Sequence, residues 1–317
     1  MDIEYPAMMN MNYGFYIFSI IITLLTSFTG FLVNFYFVSK SMFLTKSSFN
    51  GFRKLCIVKT INNSIICSTF LFWVMPVTLL GLTYSELNYS ANRFLSGISA
   101  MWAYILNSLI QVCLACNRFY GLYFPFGIKI WKHVPMTNLA IMIAITITSV
   151  LSLVTFPVGC GYVYDPSFFL WRPEDHECSK RISVIFPFVI LTTTIITNIF
   201  NVAVGIRLLV RKIGGVREQE AKERRKRWMI MFTQSVLQDC LQLFDTVNSY
   251  YIVLLSEKVW FQFIFVTLSL VTISALDGLV MFACNSDIHP TWIKKLTSKK
   301  SKTIPVPVTC SAQSFHK

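Results

Sequence analysis

The sequence predicts an all-α membrane protein, a bundle of seven transmembrane helices with its amino terminus outside the cell. Three observations carry that prediction. Of 317 residues, 54% are apolar and only 14% charged, against about a quarter charged in soluble domains. A chain so poor in charge cannot clothe itself in polar surface, and a bilayer is its natural solvent. Apolar segments at about 15–38, 55–82, 94–117, 136–159, 182–206, 228–255 and 259–284 each approach or exceed the ~20 residues that a helix needs to cross the hydrocarbon. Finally, Lys and Arg crowd into alternate connections.

That bias sets the orientation, because basic residues stay on the cytosolic side. The first connection carries Lys40, Lys46, Arg53 and Lys54, and the third-to-fourth connection Arg118, Lys129 and Lys132. Between spans five and six lie Arg211, Lys212, Arg217, Lys222, Arg224, Arg225, Lys226 and Arg227, and the end adds Lys294, Lys295, Lys299, Lys300 and Lys302. The opposite side has Arg93, Arg172, Lys180, Arg181 and Lys258, diluted by acids such as Asp2, Glu4, Glu86 and Glu257. The net charge of +13 therefore points to a lipid bilayer as partner and not to nucleic acid. Residues 1–317 read as one domain, with 285–317 a cytoplasmic tail. The acidic start and the long first apolar run argue against a cleaved signal peptide.

Span one contains Gly30 and Asn34. An intramembrane asparagine is unfavourable unless paired, so Asn34 faces the bundle, for a helix–helix hydrogen bond or a signalling role. Span two holds Asn62, Asn63, Trp73 and Pro76, and the proline predicts a kink. The loop after it carries Asn88-Tyr89-Ser90, a glycosylation sequon on the predicted outer face. Span three carries Asn107, Ser108 and Gln111, as suits a helix sheltered at the bundle centre. It closes on Asn117-Arg118-Phe119, with Pro125 beyond. An arginine there is either an interfacial anchor or a functional group.

The connection at about 160–181 is the longest outer loop, bracketed by Cys160 and Cys178. These alone among nine cysteines sit firmly in the oxidising compartment, either bridged to each other or as free thiols. Cys56, Cys67, Cys113, Cys116, Cys240 and Cys284 read as small buried hydrophobes. Neither Cys113-x-x-Cys116 nor His176 has a partner at zinc-ligand spacing, so no metal and no cofactor is expected.

Past Gly214-Gly215 the chain turns helical, with Glu218–Lys222, Glu220–Arg224 and Glu223–Arg227 in the stabilising order four apart. This basic stretch, extending span six into the cytosol, serves as a positive-inside anchor, a lipid contact or a partner surface. Ser235, Gln238, Gln242, Asp245 and Ser249 then recur at steps of three and four on one face, with Asp239 at its edge. Such a stripe cannot face lipid; it serves interhelical hydrogen bonds or lines a wet cavity. Gln242 and Asp245 lie at pocket depth and should point toward Met101 and Tyr104 of span three. Trp260 reads as an interface anchor at the mouth of span seven. Span seven carries Asp277-Gly278, and Asn34, Gln238, Asp239 and Asp277 together make the expected polar core. After it, Pro290 opens a short amphipathic helix with Trp292, Ile293 and Leu296 toward the membrane.

The Asn117-Arg118-Phe119 site resembles the Asp-Arg-Tyr site of rhodopsin-like G-protein-coupled receptors. With Pro125, Trp73-x-x-Pro76, Cys160 and Cys178 around Trp171, Gln234 with Gln238, and Asp277-Gly278 before Asn285, the chain is similar to the nematode serpentine receptor class X chemoreceptors. That resemblance implies a receptor in the cell membrane, in the cilia of sensory neurons, binding a small molecule or short peptide and activating a heterotrimeric G protein. It assigns coupling to Asn117, Arg118 and Phe119 and to Arg224, Arg225, Lys226 and Arg227. Asn117 replaces the family's acid, leaving Glu220 and Glu223 as candidate restraints on Arg118 and pointing to raised basal activity. No acid in span two serves the sodium site common among rhodopsin-like receptors. Rival classes are a seven-span ligand-gated channel with a cytosolic amino terminus, and a transporter, which should show an internal repeat. An enzyme would need a catalytic constellation, and Asp239, Asp245 and Asp277 have none around them.

Overall fold

The computed structural model describes residues 13–43, 51–124, 136–210 and 218–291, without the side chains of 209, 218–225, 227 and 286. Within them run α1 (Tyr13–Phe43), α2 (Gly51–Leu79), α3 (Tyr89–Tyr123), α4 (Met136–Leu153), α5 (Glu177–Val210), α6 (Glu218–Tyr250) and α7 (Val259–Cys284). An antiparallel hairpin, β1 (Tyr162–Asp165) and β2 (Leu170–Pro173), joins α4 to α5.

The helices are inside-out by the standard of a soluble protein. On α1 the buried positions are Ser19, Thr23, Ser27, Gly30, Asn34, Phe37 and Ser41, a stripe at steps of three and four. Its large apolar side chains, among them Leu25, Phe28, Leu32 and Phe35, point outward. Water would not tolerate such a surface, and lipid favours it, because small residues let helices approach where burial of apolar area gives no drive. Gly278 of α7 marks one such approach: a Cβ there would sit 2.5 Å from Asn34 Oδ1. Asn34 Nδ2 in turn donates to the carbonyls of Gly30 (2.8 Å) and Ser274 (3.2 Å).

Among the described residues, six helices are long and apolar enough to cross a membrane. The remaining one, α6, falls short because Gln234, Ser235, Gln238, Asp239, Asp245 and Thr246 are buried along one side of it. It packs against α3, α5 and α7, which keep that stripe away from lipid.

Helix bounds depart from the apolar windows where polar residues extend a helix. Helix α3 runs on to Tyr123, so Asn117-Arg118-Phe119 lies inside it and does not close it. Helix α4 stops at Leu153 and α6 at Tyr250, before a 3-10 turn at Ile252–Leu255. Cys240, expected among the buried cysteines, is exposed. Trp292, Ile293 and Leu296 of the expected amphipathic helix lie outside the described residues, as do Pro125, Lys129 and Lys132.

Three helices carry a wide π turn at the hairpin end of the bundle: Phe70–Val74, Gly97–Ala103 and Phe263–Leu268. In α2 the reason is local. Pro76 has no N–H to give and would crowd the carbonyl of Phe72, so the ladder widens just before it.

The hairpin plugs that end. Tyr164, Phe169 and Trp171 are buried, with Trp171 edge-on to Phe70 at 6.2 Å and to Tyr164 at 5.2 Å. Asn92 of α3 clamps the strand as another strand would: its Nδ2 donates to Tyr164 O (2.9 Å) and its Oδ1 accepts from Tyr164 N (3.0 Å). Tyr164 Oη and Thr78 Oγ1 share a hydrogen bond (2.9 Å), and Thr267 donates to Phe169 O. Cys160 and Cys178 are disulfide-bonded, with Cα atoms 4.9 Å apart, and tie the loop to the start of α5. Burial pushes the Tyr162 phenol up to about 12 and raises that of Tyr164 too, so both stay neutral around the plug.

Candidate functional site: a buried polar chain through the bundle

In the first third of α2, Lys59 is 2% exposed. A lysine there needs partners, since an unpaired ammonium in a dry interior is untenable. Its Nζ donates to Gln111 Oε1 of α3 (2.5 Å) and to Asp277 Oδ1 of α7 (3.1 Å). The other oxygen of Asp277 accepts from Asn63 Nδ2 (2.6 Å), and Asn63 Oδ1 accepts from Asn107 Nδ2 (2.8 Å). One turn apart on α2, Lys59 and Asn63 thus divide one carboxylate between them.

From Gln111 the chain continues toward the other end. Gln111 Nε2 donates to Asp239 Oδ1, and Asn201 Nδ2 of α5 donates to Asp239 Oδ2. Asn201 Oδ1 accepts from Arg118 Nη2 (3.2 Å). Arg118, 1% exposed, also donates from Nη1 to Met231 O of α6 (3.2 Å) and from Nε to Leu114 O (3.1 Å). A guanidinium can hold three acceptors on three helices at once because its donors form a rigid fork. Its restraint is therefore the Asn201 amide, with the Asp239 carboxylate behind it. Glu220 and Glu223, the sequence's candidates, have side chains outside those described.

Toward the hairpin, Asp245 of α6 accepts from Tyr104 Oη (2.7 Å) and from Ser269 Oγ of α7 (2.9 Å). Gln242 Nε2 donates to Ser108 Oγ (3.3 Å), and Met101 packs with Tyr104, Phe186 and Ile190. A cavity of about 20 Å³ lies between Asp245 and the Lys59–Asp277 pair. It holds one or two water-sized groups. Gln238 Nε2 and Asn107 Oδ1, both without a hydrogen-bond partner, belong to residues on its wall.

The other residues singled out by sequence fall elsewhere. Phe119 stacks on Tyr123 at 4.4 Å and meets Phe200 of α5 at 5.2 Å, so it packs the helix interface. Asn117 is half-buried beside it. Arg224, Arg225, Lys226 and Arg227 lie in the early turns of α6, where Lys226 is exposed. Asn88 is exposed and caps α3, its Oδ1 accepting from Ala91 N (3.0 Å). No group of three or more His, Cys, Asp or Glu able to hold a metal occurs among the described residues.

Lys59 and Asn201 carry the chain, and sequence reasoning passed over both. The available signal was a lysine standing as the one charged residue of the apolar segment 55–82.

The family model of the serpentine type 7TM GPCR chemoreceptor Srx matches residues 24–285 of this chain, nearly the whole bundle. No curated protein matches it.

Proposed function

The chain belongs to the Srx family of seven-transmembrane chemoreceptors, and from that premise we propose that it binds a small extracellular molecule at the hairpin end and activates a heterotrimeric G protein at the Arg118 end. The family is one of receptors, not enzymes, and the chain is a multi-pass membrane protein. The observation that carries the proposal is the polar chain that runs from Arg118 to the Lys59–Asp277 pair, with Asp245 across a small cavity from that pair. A ligand shifts a receptor only by binding one arrangement better than another. A molecule that competes with Tyr104 or Ser269 for Asp245 changes how α6 sits against α3 and α7. Movement of α6 then separates Met231 O from Arg118 and frees the guanidinium for a G-protein helix. The basic first turns of α6 would flank that opening. Sensory cilia are the proposed location.

The pocket reading is tested with an agonist found by screening volatile and soluble compounds on cells that express the receptor and a promiscuous G protein. Asp245→Asn keeps the size and removes the charge, so potency should fall about tenfold or more, the worth of one charge-assisted hydrogen bond. Potency that ignores both Asp245→Asn and Gln242→Ala would count against this pocket.

Orientation has its own test. With the hairpin end outside, Asn88 carries a glycan, and glycosidase shifts the mass of the wild type. Ser90→Ala should abolish that shift while keeping the Asn88 cap on α3, whereas Asn88→Gln disturbs both. A shift that persists in Ser90→Ala would show that the sugar is elsewhere.

A further inference from the structure

The central cavity is small and the hairpin covers it, yet a far larger space lies to one side. Between the hairpin ends of α3 and α4 runs a groove of about 790 Å³, within the range of small-molecule pockets. Phe94, Ile98, Leu153, Phe156 and Val158 make its walls apolar. Leu153 and Phe156 are 63% and 68% exposed, so it opens sideways toward lipid.

Its polar atoms are few and specific. Arg93, at the rim, is already neutralised: it faces Glu174 at 3.6 Å and donates to the carbonyls of Thr155, Phe156 and Pro157. No charge is left over for an ionic ligand. Deeper in, Trp102 Nε1 donates to Ser149 Oγ (3.3 Å), whereas Ser152 Oγ is buried with no hydrogen-bond partner. A hydroxyl so placed is unfavourable until an occupant supplies a partner, which a bare acyl chain does not.

We propose that this groove between α3 and α4 is a second ligand site, taking a neutral lipophilic molecule with a single hydroxyl or carbonyl that meets Ser152 and entering from the surrounding leaflet. The proposal rests on the receptor reading only for which leaflet that is and for what binding does. Its route to the core is the π turn Gly97–Ala103. Gly97, Ile98 and Trp102 face the groove, while Met101 beside them and Tyr104 just beyond face the core, where Tyr104 holds Asp245. Wide turns of this kind tolerate small shifts and often sit at functional sites.

The test uses the full-length receptor in phosphatidylcholine nanodiscs with a photoactivatable long-chain fatty alcohol as probe and plain fatty alcohol as competitor. Labelling should be saturable, map to the walls around Ile98, Trp102 and Ser152, and yield to the competitor. A Cβ at Gly97 meets nothing within 4 Å, and its φ of −59° suits any residue. Gly97→Phe should therefore place a ring in the groove and reduce labelling about tenfold or more. Ser152→Ala should leave the melting temperature unchanged and weaken competition several-fold. Non-saturable labelling, or labelling indifferent to both substitutions, would overturn the proposal. So would displacement as effective with an alkane of equal length as with the alcohol, since that is a lipid crevice. The readout needs no G protein, so a failed coupling assay leaves it standing and a failed labelling leaves coupling untouched.

Discussion

Replacing Lys59 by methionine should destabilise the receptor by about 3–5 kcal/mol and remove most of it from the cell surface. The methionine fits the volume, but Asp277 loses its cation while staying 4% exposed. Breaking one half of a buried ion pair leaves an uncompensated charge, which is worse than having no pair at all. The partner substitution separates this from simple loss of packing. Asp277→Asn still accepts from Asn63 through its amide oxygen, and in the double variant neither member of the pair leaves a charge behind. Melting of the double variant well above Lys59→Met alone is therefore expected, a coupling that a thermodynamic cycle measures directly. Additive losses would mean that Lys59 and Asp277 do not act on each other.

Much of the architecture was legible because its physics is local. Apolar run lengths indicated the spans, and the three- and four-residue steps from Ser235 to Asp245 indicated that one side of α6 faces inward. Tyr104 and Asp245 are hydrogen-bonded to each other across α3 and α6. What escaped is what depends on distant partners. Lys59 was passed over, and its carboxylate lies 218 residues away. Asn201 sat in an unremarked run of α5, although it is the residue through which Arg118 reaches Asp239. The β-hairpin was read as plain loop. Its signals were the short β-rich runs at Tyr162–Tyr164 and Phe169–Trp171 around Asp165-Pro166-Ser167, too brief to stand out before Asn92 supplies the hydrogen bonds of a neighbouring strand. Phe119, a motif position that the resemblance assigns to coupling, packs its ring on Tyr123 and Phe200, contacts that the motif alone does not reveal.

Arg118 is the point where the account is most exposed. Three acceptors on α3, α5 and α6 hold it in the bundle, and in the coupling we propose the same donors meet backbone carbonyls of a G-protein helix when α6 moves. Alanine removes both roles. Lysine keeps the charge but cannot reproduce a planar set of donors. The direct measurement is agonist-stimulated nucleotide exchange on a heterotrimeric G protein, in membranes holding equal surface amounts of wild type, Arg118→Ala and Arg118→Lys. The account predicts that alanine loses most of the exchange while agonist still binds, and that lysine recovers only part of it. Wild-type exchange in Arg118→Ala, or full recovery with lysine, would contradict it and leave Arg118 as an anchor of the helix end.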